Sequence, residues 1–138
     1  MSKILLPIDI GHLDATTRVM EQARKLAAAY DVTFVLLHVM DVIPSLLEAE
    51  IPDAVLEGHE RGAAAKLMEL ASQYGIADRA EVIVKRGKPQ HEIVAAAESS
   101  GAEIIVIASH QPSAKDILLG SVAASVVRHA HCSVMVLR

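Results

Sequence analysis

Apolar residues along this chain fall into two rhythms that alternate from end to end. Short continuous runs, Ile4 to Ile8, Val32 to Val39, Ile104 to Ile107 and Val134 to Leu137, have the pattern of strands buried on both faces. Between them the spacing lengthens to threes and fours. Val19, Ala23, Leu26 and Tyr30 mark one helical face, and Ala63, Leu67, Leu70 and Tyr74 mark another. Glu81 to Lys85 alternates instead, with Val82 and Val84 facing one way, as an edge strand does.

Punctuation residues fit that division. Pro7 suits a strand terminus, Asp14 predicts an N-cap and Gly75 a C-cap. Arg86-Gly87-Lys88-Pro89 reads as a turn with Pro89 at position N1 of a helix through about Ser99, stopped by Gly101. A last helix runs from about Gly120 to His129, where Arg128 and His129 complement its dipole. Asp41 to Pro52 has no period and is predicted to be an irregular connection.

Strands alternating with helices imply parallel pairing through right-handed crossovers. The expected fold class is α/β: one domain over residues 1–138, with a doubly wound five-stranded parallel sheet and helices on both faces. In strand order 3-2-1-4-5 the winding reverses between the first and fourth strands, and ligands bind at carboxyl ends there. The loops that meet are Pro7-Ile8-Asp9 and Ala108-Ser109-His110-Gln111, with Val39-Met40 and Gly87-Lys88 alongside.

Composition sharpens the core and narrows the partners. With 52% hydrophobic but only 2% aromatic residues, the interior must be aliphatic. A net charge of −4 argues against a nucleic-acid partner, which calls for a basic face. The single cysteine, Cys132, excludes an intramolecular disulfide and fits a reducing compartment. The apolar run after Lys3 is cut by Asp9, short of a signal peptide, and no run is long enough to span a bilayer. A cytoplasmic protein with no membrane partner is expected.

A strand that empties into a polar loop and then starts a helix lets backbone N–H groups converge on an anion. Around Ser109 to Asp116 there is no acid pair for a metal and no Walker Gly-Lys-Ser/Thr, so fast phosphoryl transfer is not expected and hydrolysis would be slow at most. His129 and His131 lack the partners of a metal site, so none is expected from protein side chains alone. A phospho-receiver domain would need aspartate at the end of the third strand, which here ends in Lys85-Arg86. Cys132, beside the last strand, reads as a small core residue.

Several segments together resemble the universal stress protein family across nearly the whole chain. They are Lys3-Ile4-Leu5-Leu6-Pro7-Ile8-Asp9, His38-Val39, Gly87-Lys88-Pro89 and Leu118-Leu119-Gly120-Ser121-Val122-Ala123, followed by Val127 to Val134. Nucleotide-binding members of that family show Gly-x-x-Gly, nine residues, then Gly-Ser or Gly-Thr. Here Ala108 and Gln111 occupy the early glycine positions, eight residues separate Gln111 from Gly120, and Gly120-Ser121 matches. Gln111 adds a side chain, and Pro112 has no N–H to donate. The loop is similar to that of the subgroup resembling the enterobacterial F- and G-type stress proteins.

The resemblance implies a homodimeric stress-response protein that binds an adenine nucleotide, ATP or ADP/AMP, with Mg²⁺. It implies that Pro7, Ile8 and Asp9 border the adenosine, Val39 offers its backbone to the adenine edge and Ile107 packs on the ring. Ala108, Ser109, His110 and Gln111 would wrap the phosphates, with Gly120, Ser121, Val122 and Ala123 closing on them. The competing reading of Asp9 is a solvated loop acid or N-cap, and that of Ser121 an ordinary N-cap. The last strand, Ser133, Val134, Met135, Val136 and Leu137, is an apolar edge by topology and the expected dimer contact. The alternative is a dimeric interaction module of the same fold that no longer binds nucleotide.

Overall fold

The apolar runs form one parallel sheet in a computed structural model that describes residues 2–109 and 119–138. Its strands are β1 (Ser2–Pro7), β2 (Val32–Met40), β3 (Ala80–Arg86), β4 (Ile104–Ala108) and β5 (Ser133–Leu137), in the order β3-β2-β1-β4-β5. Every pairing is parallel, with register Leu5↔Val35 between β1 and β2 and Ile105↔Val134 between β4 and β5. The helices are α1 (Leu13–Ala29), α2 (Ser45–Glu48), α3 (Asp53–Gln73), α4 (Pro89–Ser100) and α5 (Ser121–His129).

Alternation along the strands sorts the core into two layers. Ile4, Leu6, Phe34, Leu36 and Val106 face α1 and α3, where Val19, Met20, Ala23, Leu67 and Ala71 are buried. Leu5, Val35, Leu37, Ile105 and Ile107 face α4 and α5, against Ile93, Ala96, Ala97, Ala123 and Val126. Alanines at the helix contacts bring the helix backbones close to the sheet. Each fully buried Leu or Ile contributes roughly 1.5–3 kcal/mol, so the aliphatic interior needs no aromatic beyond Phe34. Among the described residues, no helix is long and apolar enough to cross a membrane.

Three local expectations change. The first helix starts at Leu13 with His12 at the N-cap, not Asp14. Its start is set by the His12 N–H and the Thr16 hydroxyl, both donating to the Asp9 carbonyl, while Asp14 lies in the first turn, favourable to the dipole, and pairs with Arg18. The segment from 41 to 52 contains the single helical turn α2, too short to show a period. Tyr30, at the C-cap of α1, is exposed rather than part of the packed face. Cys132 is half-buried and packs beside the α4–α5 layer. Burial raises its thiol pKa above the ordinary 9.0, partly countered by a backbone hydrogen bond.

Candidate functional site

A cavity of about 500 Å³ opens at the carboxyl ends of β1, β2 and β4. Its place follows from the winding: β1 leads into α1 on one face, whereas β4 is followed by α5 on the other, so the chain diverges around a crevice. The volume falls within the roughly 300–1,000 Å³ of small-molecule sites.

One wall is aliphatic. Leu37 and Val39 come from β2, Ile93 from α4, Ile107 from β4 and Val122 from α5, while Ile8 follows the end of β1. This surface accepts a flat, weakly polar ring. Val39 adds main-chain chemistry. The Leu37 carbonyl accepts the Ile8 N–H at 2.8 Å, on the β1 side. Main-chain groups alternate sides along a strand, so those of Val39 point the same way, beyond the last β1 pair, Pro7↔Leu37. A donor and an acceptor therefore face the cavity from one residue.

The rim beyond β1 is polar, and α1 holds it. The Asp9 carbonyl accepts the His12 N–H at 2.9 Å and the Thr16 hydroxyl at 2.8 Å. The Asp9 carboxylate accepts the Gly11 N–H at 3.2 Å and meets His12 Nδ1 at 2.7 Å. His38 Nδ1 lies 3.0 Å from the Ile8 carbonyl. Because a carbonyl only accepts, that nitrogen carries the proton, and Nε2 of the neutral ring is the acceptor. Asp41 completes the rim.

At the opposite side β4 ends beside the start of α5. Gly120 is the N-cap, with φ −59°. The Ala124 N–H is the first to bond back into the helix, to Gly120 at 2.9 Å. The N–H groups of Ser121, Val122 and Ala123 thus stand outside the intrahelical ladder, at the positive end of the dipole. Ser121 is the first helical residue, so the ordinary N-cap reading does not apply to it. Ala108 ends β4 and is buried, and no described non-glycine residue has positive φ. The backbone there makes no demand for glycine.

Pro7, Ile8, Asp9, Val39, Ile107, Ala108 and Val122 line the cavity. Ser109, Gly120, Ser121 and Ala123 adjoin it without lining it, Ala123 being packed in the core. His110 and Gln111 lie outside the described residues. Sequence reasoning missed His12, Asp41, Pro89 and Ile93 as lining residues, and Thr16 and Arg18 as supports. Among the described residues, no three His, Cys, Asp or Glu side chains are placed to hold a metal ion.

The sequence matches the universal stress protein family over residues 1–138. It is 33% identical to Universal stress protein G of Shigella flexneri over 139 residues, covering 98% of this chain and 97% of that protein. Among solved structures, hypothetical protein MJ0577 superimposes with a TM-score of 0.80 at 28% identity, covering 99% of this chain and 94% of that one. The universal stress protein from Archaeoglobus fulgidus in complex with dAMP shares the fold at a TM-score of 0.70 and 21% identity, covering 100% and 98%.

Proposed function

As the chain belongs to the universal stress protein family, we propose that its cavity binds an adenine nucleotide and that it serves the cytoplasmic stress response as a homodimeric regulatory protein. The observation that carries this reading is one crevice with an aliphatic slot on one side and a helix start on the other. Asp9 and Asp41 on the rim repel a polyphosphate. The phosphates therefore run toward the N–H groups of Ser121, Val122 and Ala123, and Mg²⁺ would come with the nucleotide.

The base enters the slot against Ile107, and the Val39 main chain meets its polar edge. A carboxylate has about four acceptor positions, so Asp9 keeps its loop bonds and accepts a ribose hydroxyl. The dAMP complex of the Archaeoglobus fulgidus protein supports the reading, because it shows this fold accommodating an adenine nucleotide. Homodimerisation draws on β5. It is an edge of the sheet, and Val134, Met135, Val136 and Leu137 are half-buried around an apolar ladder.

The test begins with denaturing purified protein and assaying released nucleotide, followed by calorimetric titration of ATP with Mg²⁺. Gly120→Val is the control, since valine adopts φ near −59° and the fold should survive. The variant should lose phosphate-dependent affinity, because a branched Cβ obstructs approach to the helix start. Unchanged ATP affinity would place the phosphates elsewhere. Neither co-purified nucleotide nor millimolar binding would favour the interaction module that has lost its ligand. A stable monomer by light scattering at micromolar concentration would remove the dimer.

A further inference from the structure

Thr16 and Ser109 are the buried polar residues among those described. Thr16 secures the loop after β1. Ser109 stands at the other side of the cavity, 6% exposed, and each of its polar groups is engaged. Its N–H donates to the Leu137 carbonyl at 2.9 Å. Its carbonyl accepts Nη2 of Arg18 at 3.1 Å. Its hydroxyl oxygen accepts the Gly120 N–H at 2.9 Å.

Arg18 reaches this point from α1 and also donates from Nη1 to the Leu137 carbonyl at 3.3 Å. The planar fork of a guanidinium suits two acceptors side by side, and the carbonyls of Ser109 and Leu137 supply them. Its Nε is buried without a hydrogen bond and forms an ion pair at 3.5 Å with Asp14, whose side chain is exposed. Nη1 and Nη2 thus serve the two strand ends, while Nε faces the acid.

We propose that Arg18 and Ser109 form a clasp that positions the N-terminus of α5 for phosphate, both acting as positioning residues rather than ligands. This rests on the nucleotide reading above. Ala123 and Val126 anchor the α5 axis in the core. The start of α5 has no side-chain cap bond. The Ser109 hydroxyl is the described group that ties residue 120 to the sheet, and Arg18 fixes the backbone that carries it. Without the hydroxyl, the Gly120 N–H loses its acceptor and the first turn shifts relative to the slot. The slot itself, built by Val39, Ile93 and Ile107, is untouched.

ATP and adenosine affinities of wild type, Ser109→Ala, Ser109→Thr and Arg18→Lys test this, together with amide hydrogen exchange at Gly120 in nucleotide-free protein. Ser109→Ala should weaken ATP about tenfold, the worth of one buried hydrogen bond, and leave adenosine within about twofold. Its Gly120 amide should exchange faster. Ser109→Thr, which keeps the hydroxyl, should retain ATP affinity. Arg18→Lys, a point charge without the fork, should lose ATP affinity selectively. Equal weakening of ATP and adenosine, or unchanged ATP affinity in Ser109→Ala, overturns the clasp. If wild type binds no ATP, the nucleotide reading fails by itself. Exchange still judges the clasp, which falls if Ser109→Ala leaves the Gly120 amide unchanged.

Discussion

Thr16→Val removes one hydrogen-bonding group from the base of the site while nearly keeping the shape of the side chain. Thr16 is 4% exposed, and its hydroxyl donates to the Asp9 carbonyl at 2.8 Å. That carbonyl keeps a second donor, the His12 N–H at 2.9 Å. It is therefore not orphaned, and the full cost of an unpaired buried acceptor does not apply. The loss is the ordinary net value of a hydrogen bond, about 1 kcal/mol. For 138 residues, an unfolding entropy of roughly 2.1 cal/mol/K per residue converts this into roughly 3–4 °C of melting temperature. Urea unfolding followed by circular dichroism should show a lower midpoint with an unchanged slope. The ligand readout separates loop positioning from simple stability. Thr16→Ser retains the donor and should keep ATP affinity, whereas Thr16→Val frees the Asp9 loop and should weaken it. A valine variant as stable as wild type would refute the reasoning, because the hydroxyl would then contribute nothing.

Two further outcomes follow from local geometry. Gly101 ends α4 at φ +73°, and beyond its chain neighbours no atom lies within 4 Å of where an alanine methyl would stand, so Gly101→Ala should cost only the left-handed backbone term, about 1 kcal/mol by urea unfolding. A neutral result would show that the turn relaxes. The Cys132 pKa is raised by burial, so its stabilising contribution is fully present below the unfolded value and is lost as pH rises through the higher folded value. Alkylation of native protein should therefore stay slower than that of a free thiol until pH passes the raised folded value, and wild type should lose stability relative to Cys132→Ala as pH rises through the interval between the unfolded and folded values. Alkylation at the free-thiol rate near pH 8 would contradict this.

Much of the sheet was legible because its information is local. Ile4 to Ile8 and Val32 to Val39 read as strands without neighbours, and order 3-2-1-4-5 placed Ile8, Asp9, Val39 and Ile107 at one crest. What escaped notice depends on contacts distant in sequence. Asp14 has the chemistry of an N-cap, but the Asp9 carbonyl recruits His12 and Thr16 and starts the helix earlier. Arg18 looks like a solvated helix residue, yet folding brings it to Ser109 and Leu137. Pro89 and Ile93 reach the cavity because α4 crosses its face of the sheet. Neither periodicity nor composition registers a hydrogen bond that spans most of the chain.

The reversal of winding also has a kinetic side. β1 pairs with β2 continuously from Ser2↔Val32 to Pro7↔Leu37, but with β4 only at Ile4↔Ile104 and Leu5↔Ile105. The β1–β2–β3 half closes shorter loops, whereas its union with β4 must close a loop of most of the chain, at a higher entropic cost. That short seam is where the molecule should open first, and the cavity straddles it, with Leu37 and Val39 on one bank and Ile107 on the other. A molecule held there finds no complete site until both banks have met. It would leave the rate of folding unchanged and act as a latch on unfolding, extending the lifetime of the native state.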